Sequence, residues 1–134
     1  MKQAKWLDRA LFINSAYFTL CTDARQFKRL RKHLKVAKKE WPAFVLNWHS
    51  DATTHFFENQ SNRSKSIIVC LRNFEDKTAP QIAAMLCHEA VHIWQATCED
   101  FGETAPSKEM EAYAIQNLTQ RLLEEFERQT KWTR

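Results

Sequence analysis

The spacing of apolar positions changes along this chain, and each change of period marks an element. Trp6 and Leu7 stand among polar residues near the start, as docking points of a short helix over residues 1–10. Aromatic and β-branched residues then crowd 14–21 (Asn-Ser-Ala-Tyr-Phe-Thr-Leu-Cys), which predicts a strand. Thr22 or Asp23 follows as a helix cap. Phe27, Leu30, Leu34, Ala37 and Trp41 recur at helical spacing, so the helix is predicted to run until Pro42, which pushes the residue before it out of the α region. Phe44 to Trp48 and Ala52 to Glu58 read as two more strands. The polar stretch Asn59 to Ser64 joins the latter to a fourth, Ser66 to Leu71, as a hairpin. The last strand is the most apolar and is expected to lie deep in the sheet or against the motif-bearing helix. A loop over 73–78 leads to Pro80, suited to the first turn of a helix ending near Thr97. A loop over 99–106 holds the lone glycine. Ser107 then caps a last helix reaching about Arg128, with Ile115, Leu118, Leu122 and Phe126 on its apolar stripe. The tail from Gln129 on is expected to fray. The fold class is α+β in a single domain over 1–134, with a small, mostly antiparallel sheet of three or four strands.

Composition narrows the function. With 134 residues, 44% hydrophobic and 27% charged, the chain suits one globular core. The single glycine, Gly102, excludes a Gly-rich phosphate loop and a dinucleotide fingerprint. Cys21, Cys70, Cys87 and Cys98 form no C-x-x-C or zinc-finger spacing, and are expected as reduced, mostly buried thiols. The apolar run from Ala10 to Cys21 is interrupted by Asn14, Ser15 and Thr19, and is too short for a membrane span. A soluble, cytoplasmic protein is expected.

One stretch carries chemistry. His88-Glu89-Ala90-Val91-His92 is H-E-x-x-H within the predicted helix over 80–97. Four-residue spacing puts both imidazoles on one helix face, where they can grip one Zn²⁺, with Glu89 as the base for a water. Apolar Ile93 and Trp94, the latter expected as packing, suit a helix built into a small domain. A catalytic zinc takes three protein ligands and leaves one position open. The acids downstream are Glu99, Asp100, Glu103, Glu109 and Glu111. Glu111 continues the buried stripe of Ile115, Leu118 and Leu122, and a carboxylate there is costly unless paired or metal-bound. It is the first candidate. Glu109 sits in the first turn, where the helix dipole alone explains an acid, and Glu103 lies in a loop; these are the alternatives. Cys87 points about 100° away from His88 and makes no nucleophilic pair with it.

His88-Glu89-x-x-His92 with Glu111 nineteen positions further on, in a second helix, resembles the gluzincin branch of zinc metallopeptidases. More narrowly, His88-Glu-Ala-Val-His-Ile-Trp-Gln95 and Pro106-Ser-Lys-Glu-Met-Glu-Ala-Tyr-Ala-Ile-Gln116 resemble small phage- and prophage-encoded metallopeptidases, and the minigluzincins that cleave phage repressors. The resemblance covers about residues 66–123. It implies a minimal zincin fold, with the motif helix, a downstream helix giving the third ligand, and an edge strand bordering the substrate groove. It also implies hydrolysis of a protein or peptide inside a bacterial host, with Glu89 as general base. An oxyanion stabiliser is usual in such sites; Tyr113, and after it His55, is the candidate. The longer zincin pattern, with a glycine and a third histidine soon after the second, is absent.

Charge offers a competing signal. The net charge of +4 is uneven, with Arg25, Lys28, Arg29, Arg31, Lys32, Lys35, Lys38 and Lys39 crowded together, and acids dominant from Glu99 on. Lys28, Arg29, Arg31, Lys32 and Lys35 are candidate phosphate contacts, though without aromatic interleaving or a nucleic-acid motif. The alternatives are therefore a DNA-associated protease of the SprT-like kind, a nucleic-acid-binding protein, and a zinc-binding protein without activity. His33, His49 and His55 are expected to be ordinary residues rather than ligands.

Overall fold

A computed structural model describes residues 2–7 and 16–130. The elements are β1 (Tyr17–Cys21), α1 (Ala24–His33), β2 (Ala52–Glu58), β3 (Lys65–Leu71), α2 (Ala79–Phe101) and α3 (Lys108–Thr130). The sheet order is β1-β3-β2. β3 is central, and Ile67 to Leu71 are all buried, as a strand covered on both faces requires. It pairs antiparallel with β2 from Ala52↔Leu71 to Glu58↔Lys65, and parallel with β1 from Tyr17↔Ser66 to Cys21↔Cys70. The sheet is therefore mixed, not mostly antiparallel. α1 and the chain after it carry β2 to the far edge, and the β2–β3 hairpin returns β3 between its neighbours, which leaves it parallel to β1.

Alternation along the strands divides the core in two. On one face Phe18, Leu20, Ala52, Ile67, Val69 and Leu71 pack against α2 and α3 through Ile82, Leu86, Ile93, Leu118, Leu122 and Phe126. On the other, Cys21, Ile68 and Cys70 pack against Phe27 and Leu30 of α1. All four cysteines are free thiols. The hairpin turn is closed locally: Asn59 Oδ1 accepts from the N–H of Ser61 and Asn62, and Arg63 takes a positive φ of 61°.

α2 begins in a capping box, with Thr78 Oγ1 accepting from Gln81 N and Gln81 Oε1 from Thr78 N. It runs to Phe101, four residues beyond the predicted end. Gly102 closes it at φ 68°, its N–H reaching Glu99 O and that of Glu103 reaching Cys98 O. This paired closure needs a left-handed residue, which glycine adopts without strain. Ser107 caps α3 as expected, its Oγ accepting from Met110 N at 3.2 Å. α3 includes Gln129 and Thr130; the tail beyond, 131–134, lies outside the described residues.

Three predicted elements differ. α1 stops at His33, because Lys35 turns left-handed (φ 59°) and the N–H groups of Lys35 and Val36 bond back to Lys32 and Arg31. Trp41 still reaches the α1 face, its indole donating to Val36 O and lying under the Arg31 guanidinium. That is why its helical spacing looked continuous. The predicted strand 44–48 is irregular; Asn47 Oδ1 binds the N–H of His49, and β2 occupies the sheet edge. Residues 2–7 are not helical: Leu7 bridges to Phe18. Residues 1 and 8–10 of the predicted N-terminal helix, and 14 and 15 of the first predicted strand, lie outside the described residues. Among the described residues, no helix is long and apolar enough to cross a membrane.

Candidate active site

α2 turns its two histidines outward and its acid inward. His88 and His92 are exposed, with rings at 77° and Nε2 atoms 3.1 Å apart. Gln95, one turn beyond His92, lies 3.3 Å from its Nδ1. A proton on Nδ1, donated to Gln95 Oε1, leaves Nε2 with its lone pair facing His88. Two such nitrogens at that distance can share a proton or a cation. A tetrahedral zinc with Zn–N bonds of about 2.0–2.1 Å sets its ligand nitrogens roughly 3.3 Å apart, so the pair fits one.

Glu89 is 5% exposed and faces the sheet. Thr54, in the middle of edge strand β2, donates its hydroxyl to Glu89 Oε2 at 2.5 Å. Side chains alternate along β2, so Ala52, Thr54 and Phe56 look toward α2, while His55 and Phe57 look toward α1. Glu89 Oε1 has no hydrogen-bond partner among the described residues.

The pair opens onto two shallow pockets. One, of about 420 Å³, lies toward the C-terminal half of α2, between Phe56 and Ile67 on the sheet and His92, Gln95 and Glu99 on the helix. The Lys65–Asp100 ion pair bounds it. The other lies toward the N-terminal half, between His49 and Asp51 of the loop before β2 and Met85, His88 and Glu89 of α2.

The candidate third ligands lie as follows. Glu111 is half-buried at the start of α3, and its Oε2 accepts from the Trp94 indole at 2.9 Å. Trp94 is thus more than packing: it ties α3 to α2 two residues beyond His92. Glu111 Oε1 is without a hydrogen bond among the described residues. Glu109 is exposed in the first turn of α3, and Glu103 Oε1 accepts from Ala105 N. Among the described residues, no three His, Cys, Asp or Glu side chains gather closely enough to hold a metal ion. His88 and His92 stand as a pair, with Glu111 turned to Trp94.

Other candidates are spread out. Tyr113 is 63% exposed and lines neither pocket. His55 lies on the opposite face of the sheet, stacked on Phe27 with Nε2–H on Phe44 O at 3.0 Å. Burial is the main cause lowering its pKa below the ordinary histidine value, and Arg31 adds to it; the Phe44 carbonyl and Glu89 oppose. The basic run is divided between the exposed side of α1 and Arg31, which turns onto aromatic rings. Lys28, Arg29 and Lys32 are exposed on α1, and Lys35 sits in the left-handed turn after it. Arg31 lies over Phe27 and Trp41 and donates to Pro42 O.

Sequence reasoning passed over Thr54 and Gln95, and took His49 for an ordinary residue. Gln95 was within reach, being one helical turn from His92. Thr54 and His49 depend on how the sheet edge meets α2, which no local pattern encodes. Comparison with models of known protein families, with curated proteins and with solved structures gave no match.

Proposed function

We propose that the protein is a zinc-dependent peptidase that hydrolyses peptide bonds, with Glu89 as general base. One observation carries this: on one exposed helix face two imidazole Nε2 atoms stand 3.1 Å apart, beside a buried carboxylate anchored by one oxygen. His88 and His92 would hold the ion, and Glu111, which bonds Trp94 and stands apart from the pair, would have to turn toward them as third ligand. The Trp94 bond supports that role for Glu111, since ligating carboxylates are commonly held by a second partner through the other oxygen. A bound zinc would bring the pKa of a water to about 7 and polarise the scissile carbonyl.

The chain supplies the rest. Thr54 fixes Glu89 Oε2, so Oε1 is the atom that takes the proton from water and later returns it to the leaving amine. Gln95 holds the His92 ring. The edge strand β2 and the two pockets beside the pair give room for an extended peptide.

Two measurements test the proposal. Purified protein is expected to carry about one zinc per chain and to cleave fluorescein-labelled casein or a peptide from a randomised fluorogenic library. Glu89→Gln is expected to keep the zinc and lose cleavage. A folded protein that takes up no zinc, or a Glu89→Gln variant as active as wild type, overturns the proposal. Stoichiometric zinc with no cleavage of any library peptide overturns the peptidase half.

A further inference from the structure

The loop before β2 is exposed yet firmly held. Trp48 is 80% and Leu46 64% exposed, as in a segment free to move. Arg72, directly after β3, fixes it instead. Its Nη2 donates to Ser50 O at 2.7 Å and to Trp48 O and Asn47 O at 3.2 and 3.3 Å. Asn47 Oδ1 accepts from His49 N, and Asn47 O from Ser50 N. The next residue, Asp51, is bound by Lys77 and Asn73, and its carbonyl accepts from Arg72 N. The end of the central strand thus sets the position of residues 47–51.

The loop carries His49. Its ring lies against Trp48, with centroids 3.4 Å apart, and neither ring nitrogen is hydrogen-bonded among the described residues. It lines the same pocket as His88 and Glu89, on the opposite wall. An imidazole with an uncommitted N–H, on a braced loop beside the proposed water and base, is a preorganised donor for charge that develops there.

We propose that His49 is a further catalytic residue of this site, donating a ring N–H to the scissile carbonyl oxygen as that oxygen takes up negative charge. The inference rests on the peptidase proposal above. Water adds to the carbonyl carbon, and the C=O π pair moves onto the oxygen that His49 hydrogen-bonds. Glu89 Oε1 takes the water proton. The pair then returns to re-form C=O, the C–N bond breaks, and the amine leaves with the proton from Glu89. His49 changes neither proton count nor charge in this sequence. Its role is filled from a loop upstream of the motif, whereas Tyr113 on α3 lines neither pocket.

The test uses the full chain with zinc added, and the best-cleaved library peptide as substrate. His49→Ala is expected to lower kcat about 100- to 1,000-fold with KM changed less than about threefold. Zinc content and unfolding midpoint are expected to match wild type, since the side chain is exposed. His49→Gln, which keeps an N–H donor, is expected to fall less far than His49→Ala. A His49→Ala kcat within about threefold of wild type, while Glu89→Gln is inactive, overturns the role of His49 and leaves the peptidase proposal standing. Loss of zinc from His49→Ala also overturns it, in favour of a ligand. A wild type that cleaves nothing overturns both.

Discussion

Removing the Thr54 hydroxyl should expose how much of this molecule depends on anchoring one carboxylate. Thr54→Val keeps the shape of the side chain and deletes the donor to Glu89 Oε2. Glu89 is 5% exposed, so water cannot readily replace that donor. A hydrogen bond to a charged group contributes about 1.5–3 kcal/mol, and a buried acceptor left unmatched costs the upper part of that range. The unfolding entropy of a chain this size, 134 residues, converts each kcal/mol into roughly 3–4 °C, so Tm should fall by about 5–10 °C. Thermal unfolding followed by circular dichroism, with urea titration for the free energy, measures it. Thr54→Ser restores the hydroxyl and should recover most of the loss. Combining Thr54→Val with Glu89→Leu should add little to Glu89→Leu alone, because the bond is already gone. Peptide cleavage should fall with Thr54→Val and return with Thr54→Ser. A Thr54→Val variant within about 0.5 kcal/mol of wild type, or full additivity in the double variant, would refute the strand-to-helix anchor.

Two further predictions concern the buried imidazole and the indole. Burial lowers the His55 pKa, so the unfolded chain takes up a proton at a higher pH than the folded one. This group's contribution to stability is complete above its unfolded pKa of about 6.5 and is lost as pH falls through its lowered folded value, with a slope of at most about 1.4 kcal/mol per pH unit. In zinc-free protein, urea midpoints taken from pH 7.5 down to 5.5 should therefore fall more steeply for wild type than for His55→Gln; parallel profiles would contradict it. Trp94→Phe keeps most of the packing and deletes the donor to Glu111 Oε2. If Glu111 is the third ligand, zinc affinity should drop about 10- to 100-fold by competition with a chelator, and unchanged affinity would count against Glu111.

What could be read from the chain follows from how local each cause is. The motif helix was legible because its signals lie within it: Pro80 in the first turn, a four-residue histidine spacing, and apolar residues on the inner face. The hairpin was legible from the polar turn between two β-rich runs. The end of α1 was not, because the left-handed turn falls on Lys35 rather than on a glycine, and Trp41 folds back to the place a continuing helix would have given it. The stretch 44–48 has the composition of a strand but pairs with no strand among the described residues; Phe44 and Val45 turn inward, and Arg72 takes the carbonyls that follow. The parallel β1–β3 pair was hidden for a similar reason. Strand order is a choice between distant partners, and the sequence near Tyr17 is equally compatible with either neighbour.

The bond between Trp94 and Glu111 changes the weight of the argument from helical phase. On phase alone, a carboxylate continuing a buried stripe calls for a metal, because little else would offset its burial. An indole N–H at 2.9 Å supplies much of that offset without any ion. Position on the stripe therefore no longer separates a ligand from a clasp between two helices. What does bear on the question is which oxygen is used. Trp94 occupies Oε2 and leaves Oε1, as Thr54 occupies Glu89 Oε2 and leaves Oε1. His92 differs, since Nδ1 meets Gln95 Oε1 and Nε2 meets His88 Nε2. In the two carboxylates one oxygen is tied by a neighbour, and the other carries no hydrogen bond among the described residues. Under the proposed function, Glu111 Oε1 and Glu89 Oε1 are the oxygens that would meet the ion and the proton.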